Sequence, residues 1–270
     1  NYKPAKGILG SDWVGLKNFR KFLTGIYAWR VIRNTLTLNL LLLLFGFPAP
    51  ILLALMMNEL RSGRFKKVMQ FVTYAPHFIS TIVLVGIMQQ LFAAPSALMR
   101  TGGVVNTLIQ ALGGSPVPFM TSETAFRHMY VWSGVWQNAG WGSIIYMATL
   151  SGVDPQQYEA AMLDGASKWQ QTRYITMPML KTVIVMMFIL SVGGIFASDF
   201  GLFYQVTQGV PNSLYKVAST FDTYVYAALQ GNAPIGKTAA ASTFQSVACC
   251  ITILLTNFIV SKVDSDSAVF

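Results

Sequence analysis

Several residues have the types and spacing that chemistry requires. Gly231 to Thr238 reads GNAPIGKT. That is the pattern of a phosphate-binding loop, whose glycine-rich backbone cradles a nucleotide while its lysine and hydroxyl reach the phosphates and magnesium. The preceding Thr223–Tyr226 reads as strand-like, and a helix is expected after the motif. A working site also needs a second acid for magnesium and an α/β domain to hold both. The chain shows no alternation of strands and helices, and the helix after the motif is an apolar run. Gly, Pro and Lys at a helix entrance explain the match. His77 and His128 are the only histidines, too few for a His-rich metal site, and His77 reads as a helix-contact residue. Cys249 and Cys250 are adjacent in an apolar run, which suits core packing better than a framework disulfide or a metal site.

The remaining candidates are polar groups inside apolar runs. Asp199 lies near the end of one such run. An intramembrane carboxylate is functional by default, and a solvated helix end is the plain alternative. Residues 125–150 carry Tyr130, Trp132, Trp136, Trp141 and Tyr146 beside Gln137 and Asn138. Aromatic faces with amides suit stacking on sugar rings. Interfacial anchoring and interhelical hydrogen bonds are the competing reading. Trp132 and Trp141 are read the second way, and Gln137 and Asn138 remain open between the two. Gln245 and Asn257 are polar residues in the last apolar run.

The longest polar stretch between two apolar segments is Val153 to Pro178, VDPQQYEAAMLDGASKWQQTRYITMP. Asp154 suits an N-cap, Pro155 the first helical position, and Gln157 the third residue of a capping box. A short helix through Tyr158 and Leu163 should follow. Gly165 can supply a turn that a residue with a Cβ resists. A second short helix is expected from about Ser167 to Thr176. Small residues at Ala160, Ala161, Gly165 and Ala166 would let another protein approach the backbone.

The elements that position these residues are membrane spans. The chain is 53% hydrophobic and only 11% charged, against about 25% charged residues in ordinary soluble domains. Mean hydropathy is +0.49. A span needs about 20 predominantly apolar residues, and five runs qualify: 34–57, 68–92, 125–150, 180–203 and 239–260. Pro48 and Pro50 should kink the first. Residues 93–124 and 204–237, the latter with Pro211 and Asn212, read as loops. The fold class is all-α, a polytopic membrane helix bundle.

Net charge is +9, but the basic residues flank apolar runs, so topology explains them better than nucleic acid does. Arg61, Arg64, Lys66 and Lys67 place their loop in the cytoplasm. Two spans later, Val153–Pro178 falls on the same side. Residues 1–33 then lie outside although they hold Lys3, Lys6, Lys17, Arg20, Lys21, Arg30 and Arg33. A sixth span before Asn1 would make this segment an external loop, and its basic residues stay an exception to the rule, facing an acidic partner or substrate. Leu16, Phe19, Phe22 and Leu23 recur at helical spacing, so part of it should lie as an amphipathic helix at the interface. The expected division is an external segment 1–33, a transmembrane region 34–261 with its loop at 153–178, and a cytosolic tail 262–270 with Asp264 and Asp266.

Glu159-Ala160-Ala161, Gly165, Ile175 and Pro178 resemble, at matching spacing, the EAA loop of permease subunits of binding-protein-dependent ABC importers; Met177 stands where that family usually has Leu. Gly7–Phe19, Val135–Trp141, Ile144–Ala148 and Asp222–Tyr226 resemble the carbohydrate branch. The resemblance implies a MetI-like bundle of six spans in the bacterial cytoplasmic membrane. Its implied partners are a second permease, two ATP-binding subunits, an extracytoplasmic solute-binding protein and membrane lipid, with no nucleic acid. It implies no catalysis and no cofactor in this chain, ATP and magnesium being used by the partners. Tyr158, Glu159, Ala160, Ala161, Asp164, Gly165 and Ala166 would dock on the ATPase. Trp136, Gln137, Asn138, Tyr146, Asp199 and Gln245 are the candidates for a substrate path. The expected cargo is an oligosaccharide, with an acidic one such as an alginate fragment suggested by the external basic residues. The rivals are a permease for peptides or other polar solutes and an ion-coupled secondary transporter.

Overall fold

The structure is a computed structural model and describes residues 6–7, 9–60, 63–96, 100–206, 214–231 and 233–264. Lys3, Arg61, Pro211, Asn212, Asn232 and Asp266 lie outside the described residues. Among these residues the chain is helical, without a β-strand. In chain order the helices are α1 Lys17–Leu23, α2 Ala28–Gly46, α3 Pro48–Asn58, α4 Gly63–Tyr74, α5 Thr81–Phe92, α6 Val104–Ala111 and α7 Glu123–Ser151. They continue with α8 Pro155–Leu163, α9 Lys168–Gln171, α10 Met177–Gly193, α11 Phe200–Val206, α12 Tyr215–Ala218, α13 Phe221–Gln230 and α14 Ile235–Val263.

Among the described residues, three stretches are long and apolar enough to cross a membrane: Ala28–Asn58, Lys168–Gly193 and Ile235–Val263. The first contains the expected proline break. α2 ends at Gly46, and Pro48 takes the first turn of α3, where its missing N–H costs nothing. The run expected over 68–92 is not one helix. It splits into α4, a 3-10 turn at Ala75–Phe78 and α5, with Ser80 as N-cap accepting from the Val83 amide. Pro76 in that turn withdraws a backbone donor, and the helix does not re-form until Ser80 supplies a new cap. α7 spans 29 residues, roughly 43 Å at helical rise, so it is long enough to cross. Its amides and aromatics keep it out of the strongly apolar group.

Two expected loops contain helices. Residues 93–124 hold α6, whose neighbouring chain is tied to buried Asn106. That amide donates to the Ala93 and Val117 carbonyls at 2.8 and 2.9 Å, and its oxygen accepts from the Val117 amide. Residues 204–237 hold the end of α11, α12 and α13. The strand-like Thr223–Tyr226 lies in α13, which Thr220 and Thr223 cap reciprocally. Local β-propensity there yields to the cap and to burial of Phe221. The run 180–203 likewise stops at Gly193, with Gly194 as C-cap, and resumes at α11.

The chain divides into two compact units, each assembled from separated stretches. One comprises Asn1–Leu40, Ser80–Trp132 and Ile195–Ile251. Its core gathers Phe22, Ala28, Val31, Phe221 and Ala241, with Tyr224 and Phe244 packed on them. Phe22 sits within about ring-contact range of Phe221, Tyr224 and Phe244, at centroid distances of 6.1, 5.8 and 6.1 Å. Phe22 was expected at the membrane interface and is instead the anchor that fastens α1 to this core.

The other unit comprises Leu41–Ile79, Ser133–Gly194 and Thr252–Phe270. Ile51, Ala54, Tyr146, Leu150, Val153 and Leu180 form its core. Small residues bring its helices together. A Cβ on Gly140 would collide with the backbone carbonyl of Thr73, so α7 and α4 approach backbone to backbone there. Gly193 packs on the Ile253 side chain. Cys249 is half-buried and Cys250 is exposed, so the expected core packing fails for Cys250.

Gly140→Ala should therefore destabilise the protein by about 1–3 kcal/mol through overpacking. Gly86→Ala, with open space around it, should change little. Melting of the detergent-purified protein followed by size-exclusion checks both.

Candidate functional site

Residues 153–178 form two short helices and two tight connections. Asp154 caps α8, its carboxylate accepting from the Gln156 amide at 2.9 Å. The reciprocal capping box expected with Gln157 is not formed. It occurs one helix later, where Ser167 and Gln170 cap each other at the start of α9. Between them α8 ends in a Schellman closure. The Ala166 amide donates to the Ala161 carbonyl at 2.8 Å and the Gly165 amide to the Met162 carbonyl at 3.1 Å. Gly165 has φ +78, the left-handed conformation this closure needs. A Cβ there would meet nothing, so glycine is required by backbone conformation alone.

The loop is fastened at both ends. Val153 and Leu180 belong to the core of their unit, and Tyr158 and Ile175 pack against it. The Tyr158 hydroxyl pairs with the Thr176 hydroxyl at 3.0 Å. Thr176 closes a π-helical turn, Thr172–Thr176, that joins α9 to α10. Buried Gln171 donates to the Ala166 carbonyl at 3.0 Å. Lys168 lies 3.2 Å from Glu59, at the C-terminus of α3.

What is left outward is a set of polar, small and apolar side chains. Glu159, Ala160, Asp164 and Gly165 are exposed, and Ala161 and Ala166 are half-buried. Beside them stand apolar side chains bare to solvent: Met162, Leu163 at 90%, and Trp169 at 71%. The sequence pattern marked the small residues but not Leu163 and Trp169.

The six path candidates fall elsewhere. Trp136 and Asn138 are exposed on α7. Asn138 also pairs its carbonyl oxygen with His77 Nδ1 at 3.1 Å, and the His77 ring stacks on Trp141 with centroids 4.6 Å apart. His77 is thus the helix-contact residue its isolation suggested. Gln137 donates to the carbonyl of Ile79 at 3.0 Å, at the break before α5. Tyr146, expected on the path, is instead packed in the core beside Ile51 and Leu180. Asp199 caps α11, accepting from the Leu202 amide at 3.0 Å. Gln245 donates to the Phe196 carbonyl at 3.0 Å and lies 3.3 Å from Asp222. Asp222 itself accepts from the amide and hydroxyl of Ser198. Asn39 donates at 2.7 Å to the carbonyls of Ile195 and Ala197. Neither Asp222 nor Asn39 stood out as a functional group in the sequence, because their partners are far away along the chain.

Gln137→Leu should leave the Ile79 carbonyl unpaired and lower stability by about 1–3 kcal/mol, read as a lower melting temperature of the purified protein.

The chain is similar to several known proteins. It is 39% identical over 262 residues to the polygalacturonan/rhamnogalacturonan transport system permease protein YteP of Bacillus subtilis, covering 97% of this chain and 79% of YteP. It is 36% identical to LplB of the same organism, covering 98% and 81%. Among solved structures, it superposes with a TM-score of 0.87 and 33% identity on a chain of a bacterial ABC transporter involved in import of the acidic polysaccharide alginate. That match covers 94% of this chain and 86% of the other. Residues 46–264 match the family of binding-protein-dependent transport system inner membrane components, and the chain belongs to that family.

Proposed function

We propose that this chain forms half of the translocation pathway of an ATP-driven importer of oligosaccharides. In this reading Val153–Pro178 docks on an ATP-binding subunit. The observation that carries the reading is the build of that loop. It is held to the core through Val153, Tyr158, Ile175 and Leu180, while its two caps and the Gly165 turn present Glu159 to Ala166 outward. A rigid, outward surface without catalytic groups suits transmission of a partner's motion. Glu159 supplies an ion pair or hydrogen bond to the ATPase groove, and Leu163 and Trp169 supply apolar contact. ATP and magnesium belong to the ATPase pair. A second permease and an extracytoplasmic solute-binding protein complete the assembly. The likeness to a permease for polygalacturonan or rhamnogalacturonan and to an alginate importer supports a saccharide cargo, and an acidic one. On the path, Trp136 offers a half-exposed ring on α7 for contact with a sugar.

Glu159→Lys and Gly165→Pro should each abolish substrate-stimulated ATP hydrolysis by the reconstituted complex while leaving membrane insertion intact. Normal stimulation in both variants would remove the docking role. In proteoliposomes, uptake should follow acidic oligosaccharides and require the ATPase subunits. Uptake of peptides instead, or uptake by this chain alone with a proton or sodium gradient, would replace this reading with one of its rivals.

A further inference from the structure

The basic segment ahead of Ala28–Asn58 has a layout that the transport function does not use. Successive residues of a helix turn by about 100°, which divides α1 into three sectors. Asn18, Phe19 and Phe22 face inward, with Phe22 only 1% exposed in the aromatic core. Leu16 and Leu23 form a second, exposed sector. Lys17, Arg20 and Lys21 form a third, all exposed. The apolar sector lies between the core and the cations. Chain on either side adds to it: Trp13 is 95% exposed, Ile26 84% and Trp29 71%.

We infer that Trp13–Trp29 lies on the membrane surface, its apolar side chains in the acyl boundary and Lys17, Arg20 and Lys21 on anionic phospholipid head groups. Three observations choose lipid as the occupant. The segment runs directly into the span that begins at Ala28, so its height is that of the headgroup layer. Tryptophans flanking a span and cations beside an aliphatic strip are the side chains that such a layer accepts. A soluble acidic saccharide would meet the cations but gain nothing from bare Leu16, Leu23 and Ile26. Phe22 acts as the peg that keeps α1 from floating away from the bundle. The excess of positive charge on this side is then explained by headgroup contact and needs no acidic cargo.

The test uses the assembled transporter in vesicles of phosphatidylcholine with or without phosphatidylglycerol, either lipid carrying brominated acyl chains. Trp13 emission is taken as the difference between the wild type and Trp13→Phe. Brominated lipid should quench it, and brominated phosphatidylglycerol should do so preferentially at low salt. Replacing Lys17, Arg20 and Lys21 by glutamine should reduce that preference at least roughly fivefold, the effect of a single surface cation. These cations are exposed, so folding should be retained, and size-exclusion of the complex checks it. Trp13 open to aqueous iodide and untouched by brominated lipid would overturn the proposal. So would protection of Trp13 only on adding a solute-binding protein loaded with acidic oligosaccharide. Quenching by both lipids alike, unchanged in the glutamine variant, would overturn the headgroup assignment.

Discussion

A backbone carbonyl released from a helix inside a membrane has no water to turn to, and much of this chain is arranged around that fact. The helices break at several places, and at several of these breaks a side-chain amide supplies a missing donor. Gln137 of α7 serves Ile79. Asn39 of α2 serves Ile195 and Ala197 beyond the end of α10, and Gln245 of α14 serves Phe196 between them. Buried Asn34 donates to the carbonyls of Lys216 and Ser219 around α12. Asn106 does the same for the chain around α6. An amide is the right group for the task, being neutral and able to donate twice while keeping an acceptor. A charged donor in the same place would carry a heavy desolvation cost.

This constraint separates two kinds of polar residue in the bundle. Those paired with broken backbone are structural, whatever their membrane depth. Others pair with a side chain instead, as Asn138 does with His77. The stretch Val153–Pro178 obeys the opposite logic. Its outer side chains are exposed, and its backbone is closed by its own caps: Asp154, Gly165 and the Ser167–Gln170 pair. Closure by local partners leaves its outer side chains uncommitted.

That difference also decides what was legible in the sequence. Local devices could be read directly: Asp154 as a cap, Gly165 as a turn, Pro48 as a break, and the apolar runs as helices. So could the family, because the EAA spacing is itself local. Devices that act over long separations could not be read. Nothing near Asn39 announces Ile195, and nothing near Asn34 announces Lys216 or Ser219. Residues 93–124 and 204–237 therefore looked like loops, and 68–92 looked like one helix. Phe22 was misplaced for the same reason: its periodicity fits an interfacial helix, and its partners Phe221 and Phe244 are some two hundred residues away. Residues 223–226 show the converse, a local preference overridden by a cap and a core.

The π-helical turn at Thr172–Thr176 sets the azimuth of the span that follows. Such a turn carries one residue more than an α-helical turn, so every side chain after it is rotated about 100° around the helix axis. Through that offset α9 can keep its capping box and bare Trp169 on the outside while Leu180 still points into the core. The phase of the α9 surface and the phase of α10 are thereby two separate settings on one continuous rod. A single inserted residue lets either face be redirected toward a differently shaped partner without repacking the other.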